Sequence, residues 1–273
     1  MADRFQLHAS SLESLARCGI AFERRQILGD RRPPSARLVI GTAIHHAVAT
    51  NLQHKIDTDT LLPVEAVRED ARDTLVHEWE KGVAPSEEDL EEGITARDKA
   101  LDMSVGLAGF HHQNCAPGLN PTHVERSWVL DIEGLNIQLA GRIDIQEFDY
   151  VRDTKTSSKS PVKTLADESL QLSVYALAAR QIDGVMPENV ALDYLVQTPK
   201  RGDQKLVTLE ALRTEESLMP VLARLEVMDR IIASGNFTPA PVGAWWCASR
   251  WCDFHSDCPY AAHPVSVPGS EVK

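Results

Sequence analysis

The sequence is short of everything that marks a membrane, secreted or repeat protein. No apolar run in its 273 residues nears the roughly 20 needed to cross a bilayer. The opening stretch MADRFQLHASSLESLARC lacks the continuous apolar segment of a signal peptide. Five cysteines are too few for a disulfide scaffold in a chain this long. Glycine and proline, at 15 each, show no excess, and there is no internal repeat or low-complexity tract. Cationic charge is scarce as well: 28 Lys and Arg stand against 40 Asp and Glu, a formal net charge of −12. The expectation is a cytoplasmic protein with no membrane partner. On charge alone a small-molecule substrate ranks ahead of nucleic acid, because phosphate binding usually relies on basic surfaces that release counterions. A local basic groove, or cations held at carboxylates, would be needed to reverse that order.

What is present suits one domain with a substantial core, since 43% of the residues are hydrophobic. Ser10 or Ser11 can cap a helix running to about Leu28, and a polar loop with Arg31, Arg32, Pro33 and Pro34 follows. A second helix is expected from Ala36 to about Lys55. The stretch 61–113 stays helical with a break near Gly82–Pro85; it is acidic, including the run Ser86–Glu92, and is read as an insertion or subdomain. Beyond Pro121 the pattern changes to alternation. Strands are expected at Val124–Ile132, Leu135–Phe148 and Tyr150–Thr156, forming an antiparallel meander with turns at Glu133-Gly134 and near Asp149. A helix at Leu165–Ile182, strands at Val190–Gln197 and Lys205–Leu209, and a helix at Glu210–Ser234 complete the core. A Pro-, Trp- and Cys-rich tail over 235–263 has little regular structure. The order implies an α/β or α+β class.

The most informative segment is GRIDIQEFDYVRDTKT, residues 141–156. Asp153 and Lys155 alternate onto one strand face, and a hairpin can bring Asp144 beside them. Two carboxylates hold a hard divalent cation such as Mg²⁺ or Mn²⁺ through oxygen. Such a cation polarises a phosphodiester, and a lysine next to it stabilises developing charge. The plain alternative is an exposed Asp–Lys strand pair, because D-x-K is a common triplet.

The surrounding motifs resemble the PD-(D/E)XK nuclease superfamily, specifically its RecB-like branch, which includes RecB and AddB nucleases, CRISPR-associated RecB-like exonucleases and phage exonucleases. Gly41-Thr-Ala-Ile-His45, Gly141-Arg-Ile-Asp144, Asp153-Thr-Lys155 and Gln171-Leu-Ser-Val-Tyr175 match the family's four motifs in order. The resemblance implies a restriction-endonuclease-like core, a mixed central sheet flanked by helices. It implies His45, Asp144, Asp153 and the carbonyl of Thr154 as metal ligands, and Lys155 as the catalytic lysine. Gln171 and Tyr175, four apart on one helix face, would position that lysine or the DNA. His46 competes with His45, for which a satisfied helix histidine is the ordinary alternative. Glu125 lies on the preceding strand, where some relatives carry an acidic residue; it is a lower-ranked candidate whose ordinary reading is a solvated strand glutamate.

Three of the five cysteines, Cys247, Cys252 and Cys258, crowd into one short segment, which in a reducing compartment indicates a metal or iron–sulfur site more than disulfides. RecB-like relatives use one N-terminal and three C-terminal cysteines to bind a [4Fe-4S] cluster. The resemblance thus implies Cys18 with Cys247, Cys252 and Cys258. Zn²⁺ on four thiolates, or on three with His255 or His263, is the alternative. Cys115 is read as an ordinary thiol, and Trp245, Trp246 and Trp251 as packing around the cluster. The implied function is a metal-dependent DNA exonuclease that resects ends in recombination or replication, with a recombination protein or helicase as partner. Its rivals are a CRISPR-adaptation trimming nuclease and an inactive DNA-binding scaffold. Lys159, Lys163, Lys200, Arg201, Arg31 and Arg32 are the candidate phosphate contacts, each of which could equally be a solvated charge.

Overall fold

The computed structural model describes residues 4–84, 95–198, 203–249 and 251–261. The acidic run Ser86–Glu92 lies outside these residues, as do Lys200, Arg201 and His263. A short strand β1 (Gln6–His8) leads into helix α1 (Ala9–Arg17). The backbone is extended at Cys18, and a four-residue helix α2 (Gly19–Phe22) and a π-turn over Glu23–Ile27 follow. The continuous helix expected to Leu28 is therefore broken. The cause is a close approach: Ile20 N–H donates to the Thr238 carbonyl at 3.2 Å. A Cβ at residue 19 would lie 2.8 Å from the Thr238 nitrogen, so only glycine fits there.

Three helices come next, α3 (Ala36–Thr58), α4 (Val64–Glu80) and α5 (Thr95–Asn114). The Ser35 hydroxyl caps α3 by accepting the Leu38 amide. Three nine- and eight-residue strands then form the expected meander, β2 (His123–Asp131), β3 (Gln138–Gln146) and β4 (Tyr150–Ser157). After α6 (Leu165–Glu168) and α7 (Leu170–Asp183), strands β5 (Asn189–Gln197) and β6 (Gln204–Leu212) precede α8 (Glu215–Ser234). The expectation of helix from Glu210 fails because Glu210, Ala211 and Leu212 pair with Ala191, Val190 and Asn189. A full-length ladder outweighs their local preference. The helix starts instead at a Thr214–Ser217 capping box.

These strands make one mixed six-stranded sheet. β2 lies antiparallel along one edge of β3. The other edge of β3 is shared: β1 runs parallel over Gln138–Ala140, and β4 pairs antiparallel only at Ile145 and Gln146. β4 then pairs parallel with β5, which pairs antiparallel with β6. Both faces are covered. Leu12, Leu15, Trp128, Leu139, Tyr175 and Leu225 join α1, α7 and α8 to one side. Ile44, Leu52, Leu75, Leu107, Ile145 and Leu195 join α3, α4 and α5 to the other. The acidic stretch thus supplies apolar side chains to the layer over the sheet. Among the described residues no helix is long and apolar enough to cross a membrane.

Candidate active site

Asp144 and Asp153 stand at a fork. β3 and β4 pair at Ile145–Arg152 and Gln146–Val151 beside their turn, and then separate. Where the ladder would continue, the Asp144 carboxylate accepts the Thr154 amide at 2.9 Å. A side chain has taken over a backbone carbonyl's role, and it fixes how far the strands part. On the other edge of β3, Val124 pairs with Ile145 and Arg126 with Ile143, which sets Glu125 opposite Asp144. Glu125 has a φ of 48°, left-handed backbone that costs a non-glycine residue about 1–2 kcal/mol. From the helical layer, α3 brings in His45, whose Nδ1 is 3.2 Å from Asp144 Oδ2.

One donor atom from each of His45, Glu125 and Asp144 lies within 4.8 Å of the other two. The structure therefore joins His45 and Asp144, as the motifs imply, to a glutamate that the sequence reading ranked lower. Register held the missed signal: counting equally outward from the Gly134–Leu135 turn pairs residue 125 with residue 144. Asp153 is almost wholly buried beside this group, but its carboxylate faces Lys155, with Nζ at 2.7 Å from Oδ2. Thr154 is equally buried. His46 points elsewhere and meets Asp70 at 3.1 Å, so it does not compete with His45.

Burial first, and then the charge of Asp153, pushes the Asp144 carboxyl well above the ordinary carboxylate range. Burial lowers His45 below its usual value, which keeps its imidazole neutral and its lone pair available. Burial would also depress the Lys155 ammonium, but the adjoining Asp153 outweighs it and the group is held above its normal value. Three carboxylates are thus gathered around a neutral imidazole, opposed by Lys155 and by Arg142, which ion-pairs with Glu125. A hard donor set with an excess of buried negative charge is what a divalent cation would neutralise.

Lys155 is held by a chain of contacts that explains the motif spacing. Its Nζ donates to Gln171 Oε1 at 3.1 Å, and Gln171 Nε2 donates to the Tyr175 hydroxyl at 2.7 Å. Tyr175 meets the Trp128 ring edge to face at 6.4 Å. Trp128 lies flat on β3 because residue 141 is glycine; a Cβ there would sit 2.4 Å from the indole. The glycine of the G-x-x-D motif is therefore a packing requirement for the lysine's support. A Cβ on Gly41, one turn before His45, would meet no atom within 4 Å, so that glycine leaves open space above the site. The start of α7 is fastened by buried Arg213, which donates to Ser173 Oγ at 2.8 Å and to the Ala166 carbonyl at 2.6 Å. Outside Lys155 and Gln171 a groove of about 610 Å³ opens along α1, bordered by Glu13, Arg17, Tyr194 and Arg224.

Cys18, Cys247, Cys252 and Cys258 line one small cavity with His255, and none is disulfide-bonded. Burial raises the Cys252 thiol, and the other three sulfurs raise it further. Sulfurs around a single tetrahedral Zn²⁺ would lie about 3.8 Å apart, given a bond of about 2.3 Å. The thiols do not form a group of three donors within 4.8 Å. The cavity wall is bound to the π-turn by charge: Arg24 reaches Asp257 and Asp30, and Arg32 also reaches Asp257. Arg24 lies 4.3 Å from the centre of the buried Phe254 ring, with Arg25 and Arg32 further out at 5.4 and 5.5 Å. Arg32 is thereby committed to this clasp, away from the groove. Lys159 and Lys163 are exposed on the chain beyond β4. Cys115 is buried and pushed up to about 12, the inert thiol expected. Trp245 and Trp251 are more than half exposed, so the reading of the tryptophans as packing around the cysteines does not hold for these two.

Among solved structures, a Eubacterium rectale protein named as a candidate exonuclease shares this fold at a TM-score of 0.56, with 13% identity over 96% of this chain and 91% of that one. A protein designated SSO0001 aligns over 96% of this chain and 90% of its own at 14% identity, but its TM-score of 0.43 carries no argument. A search among curated proteins finds no match. The model of the PD-(D/E)XK nuclease superfamily matches residues 6–259, which takes in the fork, the α7 glutamine and all four clustered cysteines. With nearly the whole sequence spanned by one family model, the chain belongs to the PD-(D/E)XK nuclease superfamily.

Proposed function

We propose that the protein is a divalent-metal-dependent DNA exonuclease of the RecB-like branch, acting on DNA ends in recombination or replication. The observation that carries the reading is the convergence of His45, Glu125 and Asp144 beside a lysine held by Gln171 and Tyr175. The donor set fits Mg²⁺ or Mn²⁺, with Asp153 and the Thr154 carbonyl as the adjoining ligands the motifs imply. A bound cation would supply Lewis acidity toward the phosphodiester. Lys155, charged at neutral pH, would place its ammonium against the negative charge that develops on the transferring phosphate. Gln171 and Tyr175 restrict where that ammonium points, and Gly41 leaves room for a phosphodiester backbone to approach. Exonuclease action draws support from the RecB-like motifs and from the fold shared with the Eubacterium rectale protein. Intact Asp144, Asp153 and Lys155 argue against an inactive scaffold. Cys18, Cys247, Cys252 and Cys258, which line one cavity, would hold a [4Fe-4S] cluster as the RecB-like motifs imply, with Zn²⁺ as the alternative on the same thiolates.

The test is degradation of 5′- and 3′-labelled linear DNA with Mn²⁺, alongside a visible spectrum of anaerobically purified protein. Lys155→Ala should lose on the order of 10²–10⁴ in rate. Undiminished degradation by that variant would overturn the site.

A further inference from the structure

Trp245, Trp246 and Trp251 form a cluster of rings that the cavity beside them does not absorb. Trp245 meets Trp246 and Trp251 edge to face at 5.6 and 5.4 Å. Trp245 is 61% exposed and Trp251 51%. Tryptophan is large and apolar, so two such rings in water form a surface built to be covered. Their position is set by a hydrogen bond from Trp246 Nε1 to the Arg17 carbonyl at 3.3 Å. Arg17 ends α1, and its side chain borders the same groove as Lys155 and Gln171. Through Trp246 the aromatic cluster therefore adjoins Arg17, one of the residues that border the groove together with Lys155 and Gln171.

We infer that this cluster is a stacking platform for the unpaired bases of a single DNA strand whose backbone follows the groove to Lys155. The inference rests on the nuclease reading of the site and adds the strand state of the substrate. Ring faces stack on any base, but only where the bases are unpaired. The groove's charges are nearly balanced: Lys155, Arg17 and Arg224 face Glu13 and Glu168. Phosphate attraction there is weak, so stacking has to carry much of the affinity. That accounts for an acidic chain of net charge −12 engaging a polyanion.

The test is fluorescence anisotropy of labelled oligo(dT) with the full protein in chelator, where no cleavage occurs. Trp245→Ala should weaken binding about tenfold, and Trp245→Phe should restore most of it. A blunt duplex of equal length should bind the wild type and Trp245→Ala alike. The salt slope for oligo(dT) should be no steeper than about −2, the value for three cations on a single strand. Equal oligo(dT) affinity in Trp245→Ala and wild type would overturn the platform. So would a loss of affinity that is equal for duplex and single strand. Neither result touches the Lys155→Ala assay, which judges the nuclease reading separately.

Discussion

The forked site and the cysteine cavity both collect groups that repel or desolvate one another, yet they are held in opposite ways. At the fork, the crowding is built into the sheet: Glu125 is locked by strand pairs on either side and Asp144 by the Thr154 amide. At the cavity, the cysteines come from a helix break and an irregular tail, and what joins them is side-chain chemistry, Arg24 and Arg32 on Asp257 with Phe254 beneath. A rigid scaffold can keep unfavourable charges close without a ligand. A loop scaffold depends on whatever binds to it. The fork should keep its geometry in metal-free protein, whereas the segments around the cavity should loosen once one of the clustered cysteines is removed.

The sharpest way to break this contrast is Asp144→Asn. Activity should fall more than about a hundredfold, since even partners one shell away from a metal cost 10–100-fold. The metal-free protein should gain stability, because a buried carboxyl repelled by Asp153 is removed while the acceptor for Thr154 N–H remains. A gain of about 1 kcal/mol would raise Tm by about 2–4 °C in calorimetry. A lower Tm would mean that the fork is not prestrained.

Cys252→Ala makes the reverse case. It should bleach any iron–sulfur absorption and raise the rate of limited proteolysis around residues 9–32 and 235–261 about tenfold or more, while the central sheet stays protected. Unchanged protection at both segments would show that the Arg24–Asp257 clasp suffices alone.

The last effect concerns the helical layer behind the fork and leaves the site itself untouched. Burial holds fully buried His111 neutral and lowers it to about 3, from an ordinary 6.5. Its contribution to stability is complete above pH 6.5 and is lost as pH falls toward 3. Denaturant unfolding of metal-free protein should lose about 2 kcal/mol between pH 7 and 5. His111→Leu should flatten that slope; an unchanged slope would place the sensitivity at the fork's own groups.

Much of this was legible from residues alone because the motifs carry their own geometry. Alternation set Asp153 and Lys155 on one face, and helical spacing set Gln171 beneath Tyr175. Glu125 stayed a lower-ranked candidate because nothing local marks a left-handed residue inside a strand, and only the hairpin register sets it opposite Asp144. β1 is three residues long, too short to show a period, and exists through its pairing with Gln138–Ala140. The break at Cys18 was invisible because its cause, Thr238, lies more than two hundred residues away. The exposure of Trp245 and Trp251 was not legible because composition near cysteines says nothing about which way rings face.

The closeness of Gly19 to Thr238 has a consequence for how the protein is made. β1 waits for β3, α1 for Trp246, and the π-turn for Asp257. The long-range contacts that hold the first thirty residues in place are translated long after them. Non-local closure of this kind is slow. The groove that runs along α1 therefore gains its full support only after the tail that anchors α1 has been synthesised.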